Sequence, residues 1–113
     1  MTMTTISKDH KLVTLINVFT VEPANQQQLL ELLVRATETS VRNVQGFISA
    51  ALHRSLDGTK VAMYAQWRSV EDYQAMRETP GSVPYLQQAL ALAKFEPGMY
   101  EVFETFTASH GSA

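Results

Sequence analysis

The first apolar run of the chain, Leu12 to Val21, is β-branched and aromatic and stops at Glu22-Pro23. It is long enough for a strand and too short for a buried helix. From Ala24-Asn25 the spacing changes: Leu29, Leu32, Leu33, Ala36, Ser40 and Val44 recur at threes and fours, which predicts an amphipathic helix that runs until Gly46. Phe47–Ser55 and Lys60–Trp67 read as two strands around Leu56-Asp57-Gly58-Thr59, and Asp-Gly is a hairpin signal. Ser69-Val70-Glu71-Asp72 resembles a capping box opening a short helix to about Glu78, which Thr79-Pro80-Gly81 breaks. Ser82 then caps a segment striped by Leu86, Ala89, Leu90 and Ala93 as far as Lys94, and Glu96-Pro97-Gly98 ends it. Met99–Phe106 alternates like a final strand.

The order is β-α-β-β-α-β with the second helix in two pieces, the split βαβ arrangement of an α+β, ferredoxin-like domain over residues 12–106. Residues 1–11 and 107–113 lack periodicity and read as flexible tails. Such a sheet carries helices on one side only. Strand one is nevertheless apolar on both parities, Val13, Leu15, Phe19 and Val21 against Leu12, Ile16 and Val18. Something must cover the second face, and a second copy packed sheet to sheet predicts a homodimer with a barrel-like core.

Composition narrows the chemistry. Nine Lys and Arg against eleven Asp and Glu give a net charge of -2, with no long run of either sign, which argues against nucleic-acid binding. No stretch approaches the roughly 20 apolar residues of a membrane span, and Met1 to Lys11 has no apolar signal core, so the expected address is cytoplasmic. The absence of cysteine excludes disulfides, thiolate nucleophiles and Cys-based metal sites. The histidines, His10, His53 and His110, have no metal-ligand spacing, so no metal is expected. Nucleotide-binding glycine loops and a serine-hydrolase elbow are absent as well.

Four side chains remain as candidates. Asn17 is a polar residue within an apolar parity, either aimed into a pocket to hold a substrate oxygen or tied to neighbouring backbone. Trp67 ends its strand either as core wall or as a surface that stacks on a planar ligand and donates its indole N–H. Tyr73 lies on the inward stripe of the short helix, where a phenol could shuttle a proton or simply pack. His53 is the one histidine inside an expected element. Its facing depends on the hairpin, because a two-residue and a three-residue turn differ by one in register.

The segments Gln45-Gly46-Phe47-Ile48-Ser49, His53-Arg54-Ser55-Leu56-Asp57-Gly58-Thr59 and Tyr64-Ala65-Gln66-Trp67-Arg68-Ser69, together with Tyr73, resemble the antibiotic biosynthesis monooxygenase family. Within it the chain looks most like small cofactor-independent enzymes that oxidise anthrone-type polyketides to quinones. The resemblance spans about Leu12 to Phe106 and implies a dimeric α+β barrel with a pocket between sheet and helices. By position it implies catalytic roles for Asn17, Trp67 and Tyr73, and a pocket histidine at His53. Two positions depart from the pattern: Met63 replaces a strand asparagine, and Gln87 lies near where one relative has a helix arginine. Haem-degrading members need a helix histidine, and Val70 to Lys94 contains none.

The resemblance therefore implies a monooxygenase that uses O₂ and a small aromatic substrate with no cofactor. Asn17 would bind the developing oxyanion, Trp67 orient the ring and Tyr73 relay a proton, with Phe19, His53, Met63 and Met76 forming the substrate-binding wall. The alternatives are an oxygen-independent cyclase in the same pocket and a non-catalytic, stress-associated module binding an aromatic ligand.

Overall fold

A computed structural model describes residues 4–110. Four strands form one antiparallel sheet in the order β2-β3-β1-β4: β1 is Val13–Val21, β2 Phe47–Arg54, β3 Lys60–Trp67 and β4 Ala93–Tyr100. Three helices, α1 (Gln26–Thr39), α2 (Val70–Glu78) and α3 (Val83–Leu92), complete the ferredoxin-like α+β order. The ends of the chain, residues 1–3 and 111–113, lie outside the described residues. No helix among the described residues is long and apolar enough to cross a membrane.

β1 sits in the middle of the sheet, paired with β3 from Val13↔Trp67 to Thr20↔Lys60 and with β4 from Thr14↔Tyr100 to Val21↔Ala93. Its odd-numbered residues face the helices, where Leu15, Phe19 and Val21 are buried. The core divides into two clusters. One joins Phe19, Val21 and Val61 to the leucines of α1 and to Ala89; the other joins Leu15, Ala65, Trp67 and Tyr73. Met63 packs against both.

Three boundaries differ from the sequence reading. α1 stops at Thr39, and Val41–Asn43 forms a 3-10 turn, although the apolar spacing continues to Val44. Ser40 there pairs its hydroxyl with that of Ser82, 2.7 Å away, so Ser82 ties α3 to the end of α1 and does not cap its own helix. The last strand starts at Ala93 and takes in Glu96-Pro97-Gly98, which the sequence marks as a stop. Proline is tolerated because β4 is an edge strand, with β1 as its sole neighbour. Residues 101–106 have no regular structure, and Phe103 and Phe106 are almost fully exposed.

The hairpin and the start of α2 form as their residues dictate. Four residues, Leu56 to Thr59, separate the Ser55 N–H from the Lys60 carbonyl that receives it at 3.1 Å, and Gly58 takes φ +82. The Asp57 carboxylate accepts from the Thr59 hydroxyl (2.7 Å), the Thr59 N–H (3.0 Å) and the Ser55 hydroxyl (2.9 Å). Those bonds, the Thr59 hydroxyl foremost, hold its pKa down to about 2. At α2 the Ser69 hydroxyl accepts from the Asp72 N–H at 3.1 Å, as the capping box predicts. Gly46, at φ +91, passes so close to Asp72 that a side chain there would overlap the carboxylate. Its carbonyl receives the Arg68 N–H at 2.7 Å. The turn before β2 is thereby fixed to the end of β3, beside Trp67.

Candidate active site

A cavity of about 100 Å³ lies between the sheet and the three helices, at the seam of the two core clusters. Asn17, Phe19, Met63, Trp67, Tyr73 and Met76 all line it, although they come from β1, β3 and α2. The pairing explains this: Asn17 stands opposite Met63 on the helix-facing side, and Trp67 lies two pairs further along β3 from Ala65 on the same side. Tyr73 and Met76, three apart on α2, are turned down onto that surface.

His53 is not part of the wall. It pairs with Ala62, whose side chain lies on the face away from the helices, and it is exposed. Four residues lie between Ser55 and Lys60, which gives the same register as a two-residue Asp57-Gly58 turn and not that of a three-residue one, so the first alternative holds and the expectation of a pocket histidine at position 53 is corrected.

Two buried atoms on the wall have no hydrogen-bond partner: Asn17 Oδ1 and Trp67 Nε1. Asn17 is 8% exposed and Trp67 1%, so water does not satisfy either from bulk solvent. Orphaned buried polar atoms cost about 1 to 3 kcal/mol each, and folded proteins keep few of them. One is an acceptor and the other a donor, so together they suit a ligand that offers a hydroxyl and an oxyanion or carbonyl.

The aromatic rings around them fix their orientation. Phe47 and Tyr73 each make a T-shaped contact with the Trp67 indole, with ring centres 5.3 and 5.9 Å away. With two rings packed against it, the indole cannot change rotamer without displacing them. Burial pushes the Tyr73 phenol above its ordinary pKa, against the opposing pull of the Arg77 charge and of hydrogen bonding with Asn17 and Arg77. Tyr73 thus keeps its proton throughout the neutral range and is a proton donor there.

The sequence reading overlooked Arg77, Tyr85 and Phe95, which also line the cavity. Arg77 follows Tyr73 by four residues on α2, a spacing that places both on one helix face and could have flagged it. Phe95 stacks on Phe19 at 4.9 Å. It was hidden because its segment reads as the end of a helix. Tyr73, Arg77 and Tyr85 are the titratable side chains on the wall, which carries neither a carboxylate nor an imidazole. Among the described residues no three His, Asp or Glu gather to hold a metal ion.

Residues 12–89 match the model of the antibiotic biosynthesis monooxygenase family. The chain belongs to that family. A tetracenomycin-F1 monooxygenase from Streptomyces glaucescens is 41% identical over 107 residues, spanning 95% of this chain and 96% of the relative. Among solved structures, the monooxygenase from the gene ActVA-Orf6 of Streptomyces coelicolor, in complex with nanaomycin D, superposes with a TM-score of 0.75 at 29% identity. That likeness covers 86% of this chain and 92% of the other. SnoaB, a cofactor-independent oxygenase from Streptomyces nogalater, superposes with a TM-score of 0.74 over 88% of this chain and 100% of its own. At 24% identity it shows the shared fold. Family membership and the 41% relative make the chain a monooxygenase of the antibiotic biosynthesis type.

Proposed function

We propose that this monooxygenase works without a cofactor and oxidises an electron-rich aromatic of the anthrone, phenol or hydroquinone type to a quinone with O₂. The observation that carries the reading is the pair of orphaned atoms, Asn17 Oδ1 and Trp67 Nε1, in the wall of one apolar cavity. The description of SnoaB as a cofactor-independent oxygenase is in keeping with it.

Dioxygen reacts slowly with closed-shell molecules because of its spin, but an ionised, electron-rich arene can transfer one electron to it. For an anthrone-type methylene the atoms balance as follows. The substrate releases a proton to solvent and its anion gives one electron to O₂, leaving a carbon radical and superoxide. These join by a new C–O bond, and the resulting peroxide takes up a proton to become a hydroperoxide. Tyr73 then protonates the distal oxygen, the O–O bond breaks, and the proton still on that carbon returns to the tyrosinate. The products are a quinone carbonyl and one water, with the substrate as its own reductant.

In this scheme Trp67 Nε1 donates to the substrate oxygen on which negative charge gathers, while Asn17 Oδ1 accepts from a neighbouring hydroxyl. This refines the role that the resemblance implies for Asn17, since the unpartnered atom of its amide is the acceptor. Phe19, Met63 and Met76 hold the rings and exclude water. In protein freed of flavin, haem and metals, an oxygen electrode read together with quinone absorbance is expected to give one O₂ consumed per quinone formed. Turnover that persists without oxygen would instead mark a cyclase.

The homodimer belongs to the same reading. The chain exposes 7641 Å², against about 6,200 Å² expected of a monomer of this mass. On the sheet face away from the helices, Ile16 and Tyr100 are 36% and 54% exposed. A second copy packed on that face would remove both from water. Sedimentation equilibrium is expected to return twice the chain mass at micromolar concentration; a concentration-independent monomer would refute the dimer.

A further inference from the structure

We infer that Arg77 is a positioning residue for the oxidation: its guanidinium holds the Tyr73 oxygen so that the phenol proton points into the cavity, and it stabilises the tyrosinate left when that proton is given up. The inference rests on the proton-donor role proposed for Tyr73.

Arg77 follows Tyr73 by four residues on α2, one turn along the same helix face, and both line the cavity. Its guanidinium carbon stands 5.7 Å from the centre of the Phe95 ring, which stacks in turn on Phe19. The aromatic pair thus flanks the cation on the sheet side. Tyr73 is buried while Arg77 is exposed, so the charge stays in contact with water and reaches the phenol without being desolvated itself. The ion pairs among the described residues are Lys8–Glu104 and Arg68–Asp72, and neither involves Arg77.

Counting donors and acceptors decides the direction of the bonds. The Tyr73 hydroxyl bonds with both Asn17 and Arg77. Asn17 Oδ1 has no partner, so the amide contributes its Nδ2 and donates. A guanidinium has donors only. The phenol oxygen therefore accepts from both, which occupies its two lone pairs, and neither neighbour can take its proton. That proton is left for a ligand in the cavity.

A buried donor must also survive losing its proton. Burial raises the Tyr73 pKa, because an anion there is poorly solvated, and the Arg77 charge is the foremost opposing influence, ahead of the two hydrogen bonds. Neither the sheet nor α1 presents a titratable or charged side chain to this wall. On α3, Tyr85 shares its hydroxyl with Thr39 at 3.0 Å. Between protonation of the distal peroxide oxygen and return of the proton from carbon, Arg77 is thus the counter-charge of the tyrosinate.

The test follows Tyr73 itself. With isotopically labelled tyrosine, NMR reads the titration of its hydroxyl-bearing ring carbon, assigned among the four tyrosines by its loss in Tyr73→Phe. Arg77→Gln is expected to shift that titration about tenfold in proton concentration toward alkaline pH, with Arg77→Lys in between. In the oxygen electrode Arg77→Gln should lower kcat about tenfold with KM nearly unchanged, and Arg77→Lys should recover part of the loss. In a Tyr73→Phe background Arg77→Gln should cost nothing further, since the group it acts through is gone. A Tyr73 titration indifferent to residue 77, as a helix-dipole role alone would give, overturns the inference. So does a loss that falls on KM, or one that adds in full to that of Tyr73→Phe. Failure of the monooxygenase reading would appear instead as absence of turnover in wild type, with the NMR titration unaffected.

Discussion

Trp67→Phe is expected to lower the rate of oxygen consumption about 10²- to 10³-fold in a protein that still folds, the range seen when one preorganised donor to an oxyanion is removed. The substitution keeps an aromatic ring in contact with Phe47 and Tyr73, whose ring centres lie 5.3 and 5.9 Å from the indole. What it deletes is the N–H at Nε1, which no group of the protein uses. Loss of the larger ring at a site only 1% exposed should cost about 1 to 2 kcal/mol of stability, a drop of several degrees in Tm. The two effects separate in the kinetics. A packing role would raise KM and leave kcat nearly intact, whereas the donor role predicts that the loss falls on kcat. A variant within threefold of wild type in kcat would show that the indole nitrogen is not aimed at the reacting oxygen.

Asn17→Leu should move stability and activity in opposite directions. The position lies on a central strand, between Met63 on one side and Pro97 on the other, and its carbonyl oxygen is buried without a partner. Replacing it by an apolar side chain of similar volume removes that penalty, which outweighs the loss of the amide's hydrogen bond with Tyr73, so Tm should rise by roughly 4 to 8 °C, corresponding to about 1 kcal/mol. Oxygen consumption should fall at least about 10²-fold, because the substrate hydroxyl loses its acceptor. Natural proteins tolerate such a local cost where function needs it. A variant that is both less stable and normally active would mean that the amide is structural, which is the other reading its sequence position left open.

The parts of the fold legible in the sequence are those specified by neighbouring residues. Ser69 and Asp72 determine where α2 begins, and Phe47–Arg54 and Lys60–Trp67 emerge as strands because apolar alternation and a glycine turn agree. The parts that were not legible depend on distant contacts. The end of α1 is decided by Ser40 meeting Ser82 across 42 positions of sequence, and β4 forms through Pro97 because β1 offers it an open edge. The same division holds at the site. Asn17 and Trp67 stand out by parity along their own strands, but the facing of His53 turned on the number of residues in one loop. Arg77 gave little sign of itself, since an arginine in the last turn of a helix is ordinarily explained by the helix dipole.

The placement of Asn17 on a strand flanked on both sides has a consequence for how new specificities could arise. Its backbone cannot shift without breaking two ladders at once, whereas Met76, Tyr85 and Leu86 project from helices that close the chamber from above. Selection, natural or in the laboratory, can therefore resize the ceiling to admit a different scaffold while the amide beneath it keeps its place. In such a molecule ring count and substituent pattern can diversify across descendants that all retain one oxidation.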